Sequence, residues 1–126
     1  VHRALAAVRG MCCVPGLALN PGTPLCMAEE LYPDFDHLML MTVNPGFAGQ
    51  KLVPQSLDKI ARARALLDER GFAATRLAVD GNCSFDNVPL MARAGADTFV
   101  AGSSSLFTPD LGLKEGARRL RRAMEG

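Results

Sequence analysis

The 126-residue sequence predicts an α/β fold wound around a parallel sheet. Short apolar runs alternate along it with segments whose apolar residues recur at helical spacing. The run from Leu38 to Val43 is apolar apart from Thr42, as in a strand covered on both faces rather than one with a wet side. Glycines also cluster directly after successive strands, at Gly46 and Gly49, Gly81 and Gly102. Alternation of this kind fits an open doubly wound sheet or a barrel of eight such units, and four units are half of eight.

The elements follow in order. Val1, Leu5 and Val8 make a helical stripe that Gly10 ends. "MCCVPGLALN" supplies a strand whose start is weakened by Pro15, and "NPGTP" turns out of it. "LCMAEELYPD" reads as a short helix closed by Pro33, and "DHLMLMTV" as the second strand. In "PQSLDKIARARALLDERG", Leu57, Ile60, Ala63 and Leu67 share one stripe and Gly71 ends the helix. "TRLAVD" is a strand ending on Asp80. "SFDNVPLMARAG" is a helix that Ser84 caps and Gly95 terminates. "DTFVAGSS" is the fourth strand. A last helix starts at Thr108-Pro109, with Leu113, Ala117, Leu120 and Met124 as its buried stripe. Nothing resembles an interdomain linker, so residues 1–126 form one domain.

Composition excludes several classes. A net charge of +1, from 14 basic and 13 acidic residues, gives no reason to expect nucleic acid or an anionic membrane as partner. Arg118, Arg119, Arg121 and Arg122 read as a solvated helix face favoured by the helix dipole. No apolar run approaches membrane-spanning length. Cys12-Cys13 are adjacent, while Cys26 and Cys83 stand alone. No pair has C-x-x-C spacing, which argues against structural zinc. With no secretory leader in view, a cytoplasmic location is expected.

The chemistry sits at one end of the strands. "NPGFAG" follows Val43, "DGN" follows Val79 and "GSS" follows Ala101. In parallel α/β architectures this carboxyl edge is where ligands bind, so the three loops are expected to converge. Their glycines expose backbone N–H groups, and such a cradle, helped by Ser103, suits a phosphate without any lysine or arginine. Asp80, at the end of an apolar strand, is placed to transfer a proton or hold a metal. Met41 offers a substrate an apolar wall. His37 opens its strand at the far edge and His2 lies on the leading helix, so neither is expected to act. Cys83 reads as a free, partly buried thiol.

"GLALNPGTP", "MTVNPGFAGQ", "VDGNCS" and "AGADTFVAGSSSLF", in this order and at these separations, resemble the ribulose-phosphate 3-epimerase family. The resemblance implies a (β/α)8 TIM barrel, of which this chain supplies about the last four β/α units, residues 1–126 being its C-terminal half. It implies interconversion of D-ribulose 5-phosphate and D-xylulose 5-phosphate. One aspartate removes the proton next to the carbonyl, an enediolate forms, and a second aspartate returns the proton on the other face. It also implies a divalent metal, zinc first and iron, manganese or cobalt as alternatives, held by two histidines and the two aspartates.

By match, Asp80 resembles the second aspartate, with catalytic and metal-ligand duties. Gly46, Phe47, Ala48, Gly49, Gly81, Asn82, Gly102 and Ser103 resemble the substrate and phosphate contacts, and Met41 a methionine that shields the intermediate from water. Ala48 and Asn82 stand where many members have glycine, variants shared with allulose-6-phosphate 3-epimerase-like relatives.

Nothing here matches the family's first half, with its first aspartate and both metal-binding histidines. The chain is therefore expected to be a fragment of a full enzyme, inactive alone, with bare sheet edges that favour a homo-oligomer. An allulose-6-phosphate 3-epimerase, a truncated, non-catalytic phosphate-binding half-barrel and another phosphate-binding barrel enzyme are the alternatives.

Overall fold

A computed structural model describes all 126 residues. Four strands, β1 (Gly16–Leu19), β2 (His37–Met41), β3 (Arg76–Asp80) and β4 (Thr98–Phe99), form one sheet in the order β1-β2-β3-β4. Every pairing is parallel. The helices are α1 (His2–Gly10), α2 (Ser56–Glu69), α3 (Asn87–Arg93) and α4 (Leu113–Met124). The short helix expected after β1 is a 3₁₀ segment, Leu25–Asp34. No helix is long and apolar enough to cross a membrane.

Burial alternates along β2: Leu38 and Leu40 are closed off, while His37, Met39 and Met41 are half-exposed. Register carries that alternation across the sheet. Leu17, Leu38 and Leu77 share one rung, as do Leu19, Leu40 and Val79. These side chains belong to a single core with Ile60, Ala63 and Leu67 of α2, Val88 and Met91 of α3, and Leu120 of α4. On the opposite face Ala18, Met39, Ala78 and Thr98 form a rung, and Met41 pairs Asp80 beyond it.

The expectation that β2 is covered on both faces is thus corrected: the helices cover one face only. Sequential strand order with helices on one side is consistent with a barrel type of winding. A doubly wound sheet reverses its order and covers both faces.

Local chemistry explains where the elements stop. Gly71 (φ 86) and Gly95 (φ 112) take the left-handed region just past α2 and α3, where only glycine escapes a Cβ penalty. Ser84 lies outside α3, yet its Oγ accepts the N–H of Asn87 at 3.2 Å, the bond a cap makes. β4 is shorter than predicted, because after Val100 donates to Val79 O at 3.0 Å the chain leaves the ladder. α4 begins at Leu113 rather than Thr108, since Thr108 to Leu111 close a turn of their own (Leu111 N to Thr108 O, 3.2 Å). Its buried residues are Gly116 and Leu120, whereas Leu113 and Met124 are exposed. Val1, expected on the α1 stripe, is also exposed. The arginine run of α4 faces solvent, with Arg118 paired to Glu115 and the Arg119 guanidinium 4.3 Å above the Phe85 ring.

Candidate functional site

The carboxyl ends of β2, β3 and β4 open into a cavity of about 360 Å³. Its wall brings together Met41, Gly46, Phe47, Ala48, Gly49, Asp80, Gly81, Asn82, Gly102 and Ser103, the full set singled out in the sequence. Asn44, Gln50, Cys83, Val100 and Ser104 complete much of the rest. Asp80 is the only carboxylate on the wall. Neither histidine is there: His37 sits at the opposite end of β2 and His2 pairs with Asp34.

The β2 loop is shaped to present donors. Gly46 (φ 151) and Gly49 (φ 80) take backbone conformations closed to most residues, while Ala48 stays in the ordinary region and accommodates its Cβ without strain. The backbone N–H groups of Gly46, Phe47, Ala48 and Gly49 engage no acceptor within the chain, and neither do those of Gly102, Ser103 and Ser104. The Gln50 side chain folds back on the loop and donates to the carbonyls of Asn44 and Phe47. It thereby ties up two acceptors of the loop. Free amides on a concave wall form an anion cradle.

The β3 loop is tied to the β2 loop. Asn82 takes the left-handed region (φ 46), and its Nδ2 donates to Gln50 O at 2.9 Å. Its own carbonyl accepts from Asn87 Nδ2 at 3.0 Å. The Asn82 side chain, expected among the substrate contacts, also holds two loops together. Neither Gln50 nor this tie was visible in sequence, where "GQ" after a turn carries no mark of its destination.

Lys59, unremarked in sequence, organises the loop after β1. It is 7% exposed, and Nζ donates to the carbonyls of Asn20 (2.8 Å), Pro21 (3.1 Å) and Thr23 (2.6 Å). Burial, with Arg62 nearby, pulls its pKa below the usual lysine value. Lys59→Met keeps the stem and removes the donors. It is expected to cost about 2 kcal/mol in urea unfolding, and a change below about 0.5 kcal/mol means water replaces the ammonium without loss.

Cys83 is no nucleophile. Burial pushes its thiol up to about 11, Asp80 adds to the rise, and N–H groups of Gly81 and Val100 only partly oppose it. The thiolate is scarce at neutral pH. Iodoacetamide at pH 8, followed by peptide mass spectrometry, is expected to label the exposed Cys12, Cys13 and Cys26 while sparing Cys83. Equal labelling of Cys83 contradicts this assignment.

The ligands for a divalent metal are incomplete. No three His, Cys, Asp or Glu side chains of this chain gather closely enough to hold an ion, and Asp80 alone falls short of the three or four protein ligands such ions need. Of the implied set of two histidines and two aspartates, these residues offer only Asp80.

The model of the ribulose-phosphate 3 epimerase family matches residues 1–107, from α1 through the loop after β4. This chain belongs to the ribulose-phosphate 3-epimerase family. It is 44% identical to ribulose-phosphate 3-epimerase 2 of Cupriavidus necator over 98% of this chain and 53% of that protein. With the ribulose-phosphate 3-epimerase of Escherichia coli K12 it shares 44% identity over 87% of this chain and 48% of that protein. The Bacillus subtilis ribulose-phosphate 3-epimerase is 38% identical over 82% of this chain. The chain thus spans about half the length of the curated relatives it matches. The family match stops at Phe107, so α4 lies beyond it.

Proposed function

We propose that residues 1–126 are the C-terminal half of a single (β/α)8 barrel that interconverts D-ribulose 5-phosphate and D-xylulose 5-phosphate. The observation that carries this is the shared wall: Asp80 and two strand-end loops whose amides are unengaged line one cavity, with the β3 loop between them. The size, about 360 Å³, suits a small sugar phosphate.

In this reading the amides of Gly46, Phe47, Ala48, Gly49, Gly102 and Ser103 hold the phosphate dianion, and Ser103 adds a hydroxyl. That anchors the ketose so that the carbon beside its carbonyl lies near Asp80. The Asp80 carboxylate takes the proton from one face or, once protonated, returns it, and the enediolate between is the shared intermediate. Met41, next to Asp80 in register, walls the reacting carbon from water. A second acid on the opposite face is required, and no other carboxylate lines this cavity. Asp80 is also proposed as one ligand of a divalent metal, with zinc the first choice; the remaining ligands are not among these residues, and no step here runs through the metal.

The test is an assay of the protein that carries this chain, on D-ribulose 5-phosphate and D-allulose 6-phosphate, with and without chelator. Formation of D-xylulose 5-phosphate, with the hexulose phosphate turned over more slowly, is the expected result. Turnover of neither sugar, or preference for allulose 6-phosphate, overturns the reading.

A further inference from the structure

We infer that Thr42 is the positioning residue that sets the Asp80–Gly81–Asn82 turn, and through it the aim of the Asp80 carboxylate. This rests on the epimerase reading for its consequence, though not for its geometry. Thr42 follows β2 directly and is wholly buried. Its backbone N–H donates to Asp80 O at 2.8 Å, and its hydroxyl reaches both Asp80 O (3.0 Å) and Gly81 O (2.5 Å). One residue thus binds both carbonyls of the turn. Thr42 is itself anchored, because its carbonyl accepts from Val53 N at 2.9 Å and from Ser56 Oγ at 3.4 Å, at the start of α2.

The turn depends on such a clamp. Gly81 (φ 126) and Asn82 (φ 46) are consecutive residues with positive φ, an arrangement that persists only where its surroundings impose it. A Cβ built on Gly81 would lie 2.9 Å from Thr42 Oγ1, so the two residues are pressed together. In a trans peptide the N–H points away from the C=O. With the carbonyls of Asp80 and Gly81 turned onto Thr42, the following N–H groups of Gly81 and Asn82 turn away from it. Without the hydroxyl, Gly81 O loses its donor and Asp80 O keeps only the backbone bond. The Gly81–Asn82 peptide plane is then free to rotate, and the turn that sets the surroundings of the Asp80 carboxylate shifts with it. A residue that touches no substrate in this way governs one that does.

Thr42→Val preserves the shape and deletes the hydroxyl, Thr42→Ser keeps the hydroxyl, and Thr42→Ala deletes it with less steric demand should valine fail to fold. Two readouts separate aim from mere stability. In NMR spectra of the protein that carries this chain, the Gly81 and Asn82 amides and the Asp80 side-chain carboxyl are expected to shift in Thr42→Val and Thr42→Ala, and to stay in place in Thr42→Ser. In the active protein, Thr42→Val is expected to lower kcat by roughly 10²-fold, the scale of a small misplacement, with KM changed less than about twofold.

Unmoved resonances in both deletion variants overturn the inference whatever the activity, as does a Thr42→Ser variant as impaired as valine. If the parent protein turns over no sugar phosphate, the functional reading falls, and the resonances alone decide the role of Thr42.

Discussion

Replacing Asp80 with asparagine is expected to reduce kcat by about three orders of magnitude, since the proton carrier is removed while the side chain keeps its size. Sugar-phosphate binding is expected to survive. The amides of Gly46 to Gly49 and of Gly102 to Ser104 are untouched, and no backbone bond to Thr42 involves the carboxylate. KM should if anything fall, because a negative charge is withdrawn from a cavity that takes up a phosphate dianion. Steady-state kinetics on D-ribulose 5-phosphate separate the two effects. Turnover within tenfold of the parent removes Asp80 from the chemistry, and a large rise in KM at unchanged kcat makes it a binding group only.

Gly81→Ala is expected to damage both stability and activity. The new Cβ would meet Val43 Cγ2 at 2.7 Å, Val43 N at 2.8 Å and Thr42 Oγ1 at 2.9 Å. A backbone nitrogen cannot rotate aside as a side-chain tip can. The φ of 126 adds strain for any residue with a Cβ. Overpacking and backbone strain together set a cost of about 3–5 kcal/mol, read as a lowered midpoint in urea at unchanged slope. Gly22→Ala is the control, with nothing within 4 Å of its Cβ and no positive φ. A Gly81→Ala protein as stable as that control means the turn yields easily, and the clamp by Thr42 then loses its purpose.

Much of the fold was legible because strand and helix periods alternate cleanly and glycines mark the ends of α2 and α3. The convergence of the three loops was legible for a topological reason: parallel strands put all their carboxyl ends on one edge, so residues far apart in sequence meet without any special contact. What stayed hidden depended on side-chain partners. Thr42 looks like a tolerated interruption of an apolar run, yet a hydroxyl in such a run needs a buried acceptor, and that was the available sign. Lys59 falls four residues before Ala63, on the buried stripe of α2, but a lysine there reads as a solvated charge until the carbonyls it caps are seen. The tie from Asn82 to Gln50 O was hidden because its acceptor lies in another loop. The start of α4 was misplaced because Pro109 suits a first helical turn as well as the separate turn it occupies.

The strict succession of strands has a kinetic consequence. Gly16 pairs with His37, His37 with Arg76, and Ala78 with Thr98, so each strand adds to the one made just before it. Among these four strands none waits for a distant partner to arrive, and none must thread between strands already joined. Contacts that close over one unit at a time lower the entropy lost before each is rewarded. These four strands can pair in chain order, with β4 and its two ladder pairs the least secured addition.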